Sequence, residues 1–252
     1  MNLGEPIATG NTAKIYRYEN KAVKIFNDFL PDNEATREAH KQKLASSCGL
    51  PVPKVFDVTQ INGRQAIIME LVEGRTIGDI VLENKEKKED YMKISIDIQQ
   101  EIHRIVPRSL ETMTEKLTRQ IESAHHLDKK QRIALLQKME SMTFEERLCH
   151  GDYHLFNLIM SEDKEKVTII DWVDCSAGDI RADVYRTYLL YSQFSVELAH
   201  MYLRQYCDHS GLSKEEVFQW APIIAGARLS ENVSSESSKR LLEIVHEFCP
   251  SS

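Results

Sequence analysis

The sequence predicts an α+β protein of two lobes sharing a cleft: a small β-rich lobe with one key helix, then a larger, mostly helical lobe. Three observations lead there. Two hairpin patterns flank a single helical stretch in the first seventy or so residues, apolar residues then recur at helical spacing, and β-rich runs interrupt that helical part once. At 252 residues the chain suits one large domain or two such lobes. The expected division is 1–72 for the first lobe, ending in a hinge, and 73–252 for the second, with a helical insert at about 74–145.

The elements read in order as follows. Ala13–Tyr18 and Lys21–Phe26 are β-rich runs joined across Glu19-Asn20. A helix begins near Asp32 or Asn33 as cap and stops at Gly49, with Pro51 and Pro53 beyond. Val55–Ile61 and Arg64–Leu71 flank Asn62-Gly63, a strong hairpin-turn signal. Ile94, Ile98, Ile102 and Ile105 then fall at helical spacing and end at Pro107. Further helical patterns cover about Leu110–His126, Lys129–Met142, Val184–Tyr206, Lys214–Ala227 and Arg240–Phe248. The β interruption is Leu158–Met160 and Val167–Asp171, joined by the polar turn Ser161–Lys166; it delivers Asn157 and Asp171 to the same place. Ser234–Ser238 reads as a loop or the start of a helix.

Composition narrows the function classes. Hydrophobic residues make up 42% and charged residues 28%, enough for a packed core and unlike a disordered chain. A net charge of −7 without a basic tract argues against a nucleic-acid partner and accords with a cationic small substrate. Met1–Glu5 lacks the charged and apolar regions of a secretory signal, and no apolar run approaches a membrane span. The five cysteines (Cys48, Cys149, Cys175, Cys207, Cys249) are scattered, odd in number and without a C-x-x-C pair. They read as reduced thiols, with a cytoplasmic location as the expectation; Cys149 is expected to be buried and inert.

Chemistry concentrates in His150-Gly151-Asp152-Tyr153-His154-Leu155-Phe156-Asn157 and Ile170-Asp171-Trp172. An Asp and an Asn five residues apart on one loop, followed by a strand ending in Asp, have the order that phosphoryl transfer uses. Asp152 would orient the attacking hydroxyl and accept its proton. Asn157 and Asp171 offer the oxygen ligands that hard Mg²⁺ takes beside phosphates. Upstream, Ala22-Val23-Lys24 places a lysine inside an apolar strand, which is costly unless its ammonium has partners. A nucleotide's phosphates and a helix glutamate would serve, with Glu38 preferred to Glu34 because it lies deeper in the helix. Gly10, Asn11 and Thr12 form a candidate phosphate-covering loop. Met69-Glu70-Leu71-Val72 is the candidate hinge, where the backbone at Glu70 and Val72 would meet the adenine edge.

These residues resemble the aminoglycoside phosphotransferase and choline kinase group of the protein-kinase-like fold. The matching elements are Ala22-Val23-Lys24, Arg37-Glu38 with Gly49-Leu50-Pro51-Val52-Pro53, Met69-Glu70, His150-Gly151-Asp152…Asn157 and Ile170-Asp171-Trp172, in order over about residues 9–190. The resemblance implies an ATP- and Mg²⁺-dependent phosphotransferase, GTP being the alternative nucleotide. It makes Asp152 the catalytic base, Asn157 and Asp171 the Mg²⁺ ligands, Lys24–Glu38 the phosphate-anchoring pair and His150 a loop brace. Departures are Leu155 where many relatives have Pro, His154 where protein kinases have Lys, and Trp172-Val173 in place of Phe-Gly. No A-P-E follows, and residues 172–252 are too few for an activation segment plus a full protein-kinase lobe. The expected acceptor is therefore a small hydroxylated molecule. Asp174, Asp179 and Asp183 are read as loop braces paired with Arg181 and Arg186 rather than as ligands of a second metal. Two rivals remain at this point: a nucleotide-binding module without turnover, and a metal-dependent hydrolase built on His150, His154, Asp152 and Asp171.

Overall fold

In the computed structural model, which describes residues 3–231, 233 and 236–250, the chain divides into two compact units. These are Met1–Lys88 with Leu155–Asp174, and Glu89–His154 with Cys175–Ser252. The first unit opens with an antiparallel sheet of β1 (Ala8–Thr9), β2 (Ala13–Tyr18), β3 (Lys21–Phe26), β4 (Val55–Ile61) and β5 (Arg64–Glu70), in the order β1-β2-β3-β5-β4. Both expected hairpins are present. Glu19, Asn62 and Gly63 carry φ of 54°, 53° and 79°, the left-handed backbone that tight hairpin turns require. Helix α1 (Glu34–Ser47) follows Asn33 and ends before Gly49, whose φ of 86° turns the chain away.

Side chains alternate faces along β3, so Phe26 and Lys24 share one face while Val23 and Ile25 share the other. Phe26 packs with Ala13, Ile67 and the α1 residues Ala35 and Ala39. Val23 and Ile25 join Ile61 and Ala66 in a second cluster. Lys24 therefore points to the side of the sheet that α1 covers.

Strand β6 (Arg75–Thr76) runs into α2 (Ile77–Glu83), capped by the Thr76 side chain. Helices α3 (Lys88–His103), α4 (Met113–Ser123) and α5 (Lys129–Glu140) then lead to β7 (Arg147–Cys149). Capping boxes at Thr112/Glu115 and Asp128/Gln131 start α4 and α5. The chain returns to the first unit for β8 (Leu158–Met160) and β9 (Val167–Ile169), with β8 paired between β6 and β9. These units differ from a division at residue 72. Pairing of β6 with β8, and packing of α2 on the turn Leu155–Asn157, tie segments expected in the second lobe to the first unit. Gly74 makes that pairing possible: its φ is 139°, and a Cβ there would lie 2.2 Å from the Met160 carbonyl oxygen.

The second unit resumes with β10 (Ser176–Gly178), antiparallel to β7, and then α6 (Ile180–Phe194), α7 (Val196–Ser210), α8 (Lys214–Phe218), α9 (Ala221–Arg228) and α10 (Ser238–Phe248). Every residue of α9 is buried, and it packs against α4, α5, α6 and α10. Two expectations need correction. The single helical pattern over Val184–Tyr206 is two helices, because Ser195 ends α6 and its hydroxyl accepts the Leu198 N–H at 3.2 Å to start α7. Lys214–Ala227 is likewise divided, with Pro222 in the first turn of α9. The short strands β6, β7 and β10 had no counterpart in the sequence reading. Of the expected loop Ser234–Ser238, Ser234 and Ser235 lie outside the described residues; Ser237 caps α10. Among the described residues no helix is long and apolar enough to cross a membrane.

Candidate active site

In the first unit, Lys24 of β3 lies opposite Ile15 and Ile67 in the sheet register and is 6% exposed. Its Nζ donates to Glu38 Oε1 at 2.6 Å and to Asp171 Oδ1 at 3.1 Å. Burial alone would lower the ammonium's pKa, but the carboxylates of Asp171 and Glu38 outweigh it and raise it above the ordinary lysine range. Glu38 is 2% exposed, and Glu34 makes no such contact among the hydrogen bonds and ion pairs of Lys24. The helix position read from sequence is the one that reaches the lysine.

Asp171 has φ of 63°, a left-handed backbone that a non-glycine residue adopts only when its surroundings impose it. The surroundings are visible. Trp172 is buried and its Nε1 donates to the Ile169 carbonyl at 3.2 Å. The Lys41 ammonium donates to the Val173 carbonyl at 2.6 Å. Leu158 pairs with Ile169, and the Ile170 N–H donates to the Asn157 carbonyl at 3.0 Å. The β8–β9 hairpin thus sets Asn157 and Asp171 at adjoining positions, as the sequence predicted. One amide and one carboxylate there are oxygen donors of the kind Mg²⁺ prefers, and the Asp171 side chain is 38% exposed and open to a ligand.

The loop Gly10–Thr12 joins β1 to β2 and is largely exposed. Its Gly10 N–H is committed to the Ala13 carbonyl at 2.9 Å, and the Thr12 and Asn11 carbonyls accept from Asn27 at 2.8 and 2.9 Å. Glu70 closes β5, where its N–H donates to the Lys54 carbonyl at 2.8 Å and its carboxylate accepts the Lys54 N–H at 3.1 Å. Val72 lies half-buried in the irregular stretch before β6.

In the second unit, β7 leads directly into the loop that carries Asp152. Gly151 has φ of 80°, and the loop backbone is held at several points by α6. Asp183 accepts the Gly151 N–H at 2.7 Å and the His150 N–H at 3.3 Å, while Arg186 Nε donates to the Gly151 carbonyl at 3.1 Å. From the other side, Tyr153 donates its hydroxyl to the Ser95 carbonyl at 2.6 Å. His150 is fully buried, and its Nδ1 accepts the Asp152 N–H at 3.3 Å. That bond ties the imidazole to the backbone of its own loop. The Asp152 carboxylate is 24% exposed and lies 3.6 Å from His154 Nε2. Burial would raise its pKa, but His154, Arg186 and His150 hold it well below the usual carboxylate range.

Asp183 is also bonded by His103 Nε2 at 2.9 Å and Gln99 Nε2 at 3.3 Å, and His103 Nδ1 lies 2.6 Å from the Tyr206 hydroxyl. Because the carboxylate only accepts, His103 Nε2 carries the hydrogen of that bond. The expected partnership with arginine holds for Asp179, which binds Arg181 and the Trp220 indole, but Asp183 uses histidine, glutamine and backbone instead. Gln99 and His103 had no place in the sequence reading, since no periodic apolar signal marks them. Cys149 is buried, and burial pushes its thiol well up, as expected of an inert cysteine.

The chain is similar to known proteins in sequence and in fold. The family model described as the phosphotransferase enzyme family matches residues 4–223. Acyl-CoA dehydrogenase family member 11 of Pongo abelii is 26% identical over 182 aligned residues, which cover 63% of this chain; the match spans 23% of the relative's own length. Choline kinase LicA of Streptococcus pneumoniae superposes with a TM-score of 0.65 at 17% identity, over 98% of this chain and 94% of that one. A thermostable aminoglycoside phosphotransferase mutant, solved as a ternary complex with AMP-PNP and hygromycin B, gives 0.69 at 11% identity, over 99% and 96%. At these identities the likeness is one of fold, which is α+β and protein-kinase-like.

Proposed function

The chain belongs to the phosphotransferase enzyme family, and from that premise we propose that it moves the γ-phosphoryl group of ATP, with Mg²⁺, to a hydroxyl of a small molecule. The observation that carries this reading is the buried Lys24 ammonium held between Glu38 and Asp171, with Asp171 in a left-handed backbone conformation. A fold stabilised for its own sake gains little from a buried ion pair. A charge kept fixed and protonated suits the negative oxygens of a nucleotide's phosphates.

Each residue has a part in this proposal. Lys24 offers its charge to the phosphates and Glu38 keeps it in place. The Asn11 and Thr12 amides approach the phosphates from the β1–β2 turn, a role the Gly10 N–H leaves to them because it is already bonded. The backbone of Glu70–Val72 meets the base. Asn157 and Asp171 would hold Mg²⁺, which neutralises charge on the transferring group. Asp152, steadied by His150, Asp183 and Arg186, hydrogen-bonds the acceptor hydroxyl, aims its oxygen and takes its proton. The acceptor class is a small hydroxylated molecule, and the chain's net negative charge favours a cationic one.

The test is an ATP-consumption screen over amino alcohols, choline-like amines, sugars and aminoglycosides, with Asp152→Asn as the blank. Acceptor-dependent consumption by the parent alone is the expected result. Equal consumption by both proteins would refute the assignment, and nucleotide binding without transfer to any acceptor would favour a binding module.

A further inference from the structure

We propose that Glu231, in the turn Leu229–Glu231 that follows α9, is a positioning residue for Asp152 acting through Arg186, a role that rests on the phosphotransferase reading above. Arg186 uses its guanidinium as a fork. Nε donates to the Gly151 carbonyl at 3.1 Å, and Nη2 donates to Glu231 Oε2 at 2.9 Å. The Gly151 carbonyl and the Asp152 N–H share one peptide plane. The tilt of that plane sets the direction in which the Asp152 side chain leaves the loop. Gly151, at φ 80°, imposes little direction of its own. The aim of Asp152 therefore depends on where the Arg186 guanidinium is held.

An arginine side chain has many rotamers to choose from, and open space lies beside this one. A cavity of about 30 Å³ is lined by Gly151, Arg186, Gln120 and Glu231, among others. That is room for a water, and room for an untethered guanidinium to swing away from the carbonyl. Glu231 supplies the tether. Its carboxylate is fixed in turn from α4, where Gln120 Nε2 donates at 3.3 Å, and from α9, where Arg228 Nη1 donates to Oε2. Arg228 is itself paired with Glu236 at 3.2 Å. The Arg186 and Arg228 side chains are buried, and Glu231 is nearly so. Hydrogen bonds to charged groups are the shorter and stronger ones, so α4, α6 and the end of α9 meet at one carboxylate that reaches the loop through Arg186.

The test is single-turnover phosphate release from ATP and Mg²⁺, with water as the acceptor. Beside it stand calorimetric ATP affinity and hydrogen exchange of the amides at 148–154. The proteins are the parent, Glu231→Gln, Arg186→Met, the double variant and Arg240→Met. Glu231→Gln keeps the side chain's volume and removes its charge. It should release phosphate about ten- to a hundredfold more slowly, bind ATP within about twofold of the parent, and exchange the loop amides faster. In the Arg186→Met background the same change should alter the rate by less than about twofold, because the route through the guanidinium is already cut. Arg240→Met removes the ion pair with Glu236, outside the contact between Arg186 and Glu231, and should stay within about twofold of the parent. If Arg186→Met does not fold, Arg186→Lys, which keeps the charge without the fork, takes its place in the cycle.

A parental rate in Glu231→Gln would overturn the proposal. So would equal slowing in both backgrounds, or the same slowing from Arg240→Met, since either makes these ion pairs a matter of stability alone. All of these leave the phosphotransferase reading standing. A parent that releases no phosphate overturns that reading and with it the part of Glu231 in turnover, and loop exchange that still follows the Glu231–Arg186 cycle tells this failure from the others.

Discussion

Replacing Asp183 by Asn should destabilise the protein far more than the same change at Asp152. The Asp183 carboxylate, 1% exposed, accepts from the Gly151 and His150 N–H groups at 2.7 and 3.3 Å, from His103 at 2.9 Å and from Gln99 at 3.3 Å. An amide keeps one acceptor oxygen and turns an NH₂ toward donors, so at least one buried donor loses its partner at about 1–3 kcal/mol. Removing the charge that His103 faces brings the total to about 3–5 kcal/mol, the cost of breaking a buried polar pair. For a chain of this size that is a fall in Tm of roughly 6–20 °C, read by calorimetry or circular dichroism. The pH dependence has a definite sign. Burial would raise the Asp183 carboxyl, but the hydrogen bond and charge of His103, the Gly151 N–H and His150 lower it below the ordinary value. Its contribution is therefore fully present above the unfolded value of about 3.9 and is lost as pH falls below that toward the folded value. The parent should lose stability in that acid window more steeply than Asp183→Asn. A Tm within about 2 °C of the parent at neutral pH would refute the claim that this carboxylate holds the loop.

Other changes follow the same geometry. Lys24→Met should cost about 3–5 kcal/mol by leaving the buried Glu38 carboxyl without its partner, and Lys24→Met with Glu38→Leu should recover much of it in urea unfolding while still failing to bind ATP. A double variant no more stable than the single would remove the pair's coupling. Asp171→Ala should weaken Mg²⁺-dependent ATP binding more than Asn157→Ala, since an anionic oxygen contributes more to a hard cation than an amide does; equal, small calorimetric effects would take both away from the metal. Gly74→Ala should lower stability by about 2 kcal/mol or more, because its Cβ would meet the Met160 carbonyl in a left-handed backbone. A parental Tm there would mean that β6 is not held against β8.

What the sequence made legible had strong local causes. Asn62-Gly63 admits the positive φ of a tight turn, so β4 and β5 could be drawn in advance to within a residue. A lysine in an apolar strand must find carboxylates, so Lys24 and Glu38 could be paired across fourteen residues. What stayed hidden had weak or misleading signals. The isoleucines Ile94 and Ile98 suggested the inner face of α3, but they are only partly buried. The deepest positions include Ser95, Gln99 and His103, polar residues buried because Asp183 and its neighbours satisfy them. Periodicity of apolar residues cannot find such a face. Strands β6, β7 and β10 have two or three residues each, too short for alternation, and exist through partners distant in sequence. The break at Ser195 sits between Phe194 and Val196, both exposed, so apolar residues masked a helix end.

Asp152→Asn gives the most direct test of the proposed phosphoryl transfer. The substitution keeps the side chain's volume and removes its charge and basicity, on a loop whose backbone is fixed by Asp183, Arg186 and His150. Once the acceptor is known, kcat is measured beside calorimetric affinity for ATP with Mg²⁺. The expected result is unchanged nucleotide affinity with kcat and kcat/KM falling together by about 10²–10⁴-fold. A kcat equal to the parent's would contradict the role of Asp152 and with it the mechanism proposed for this site.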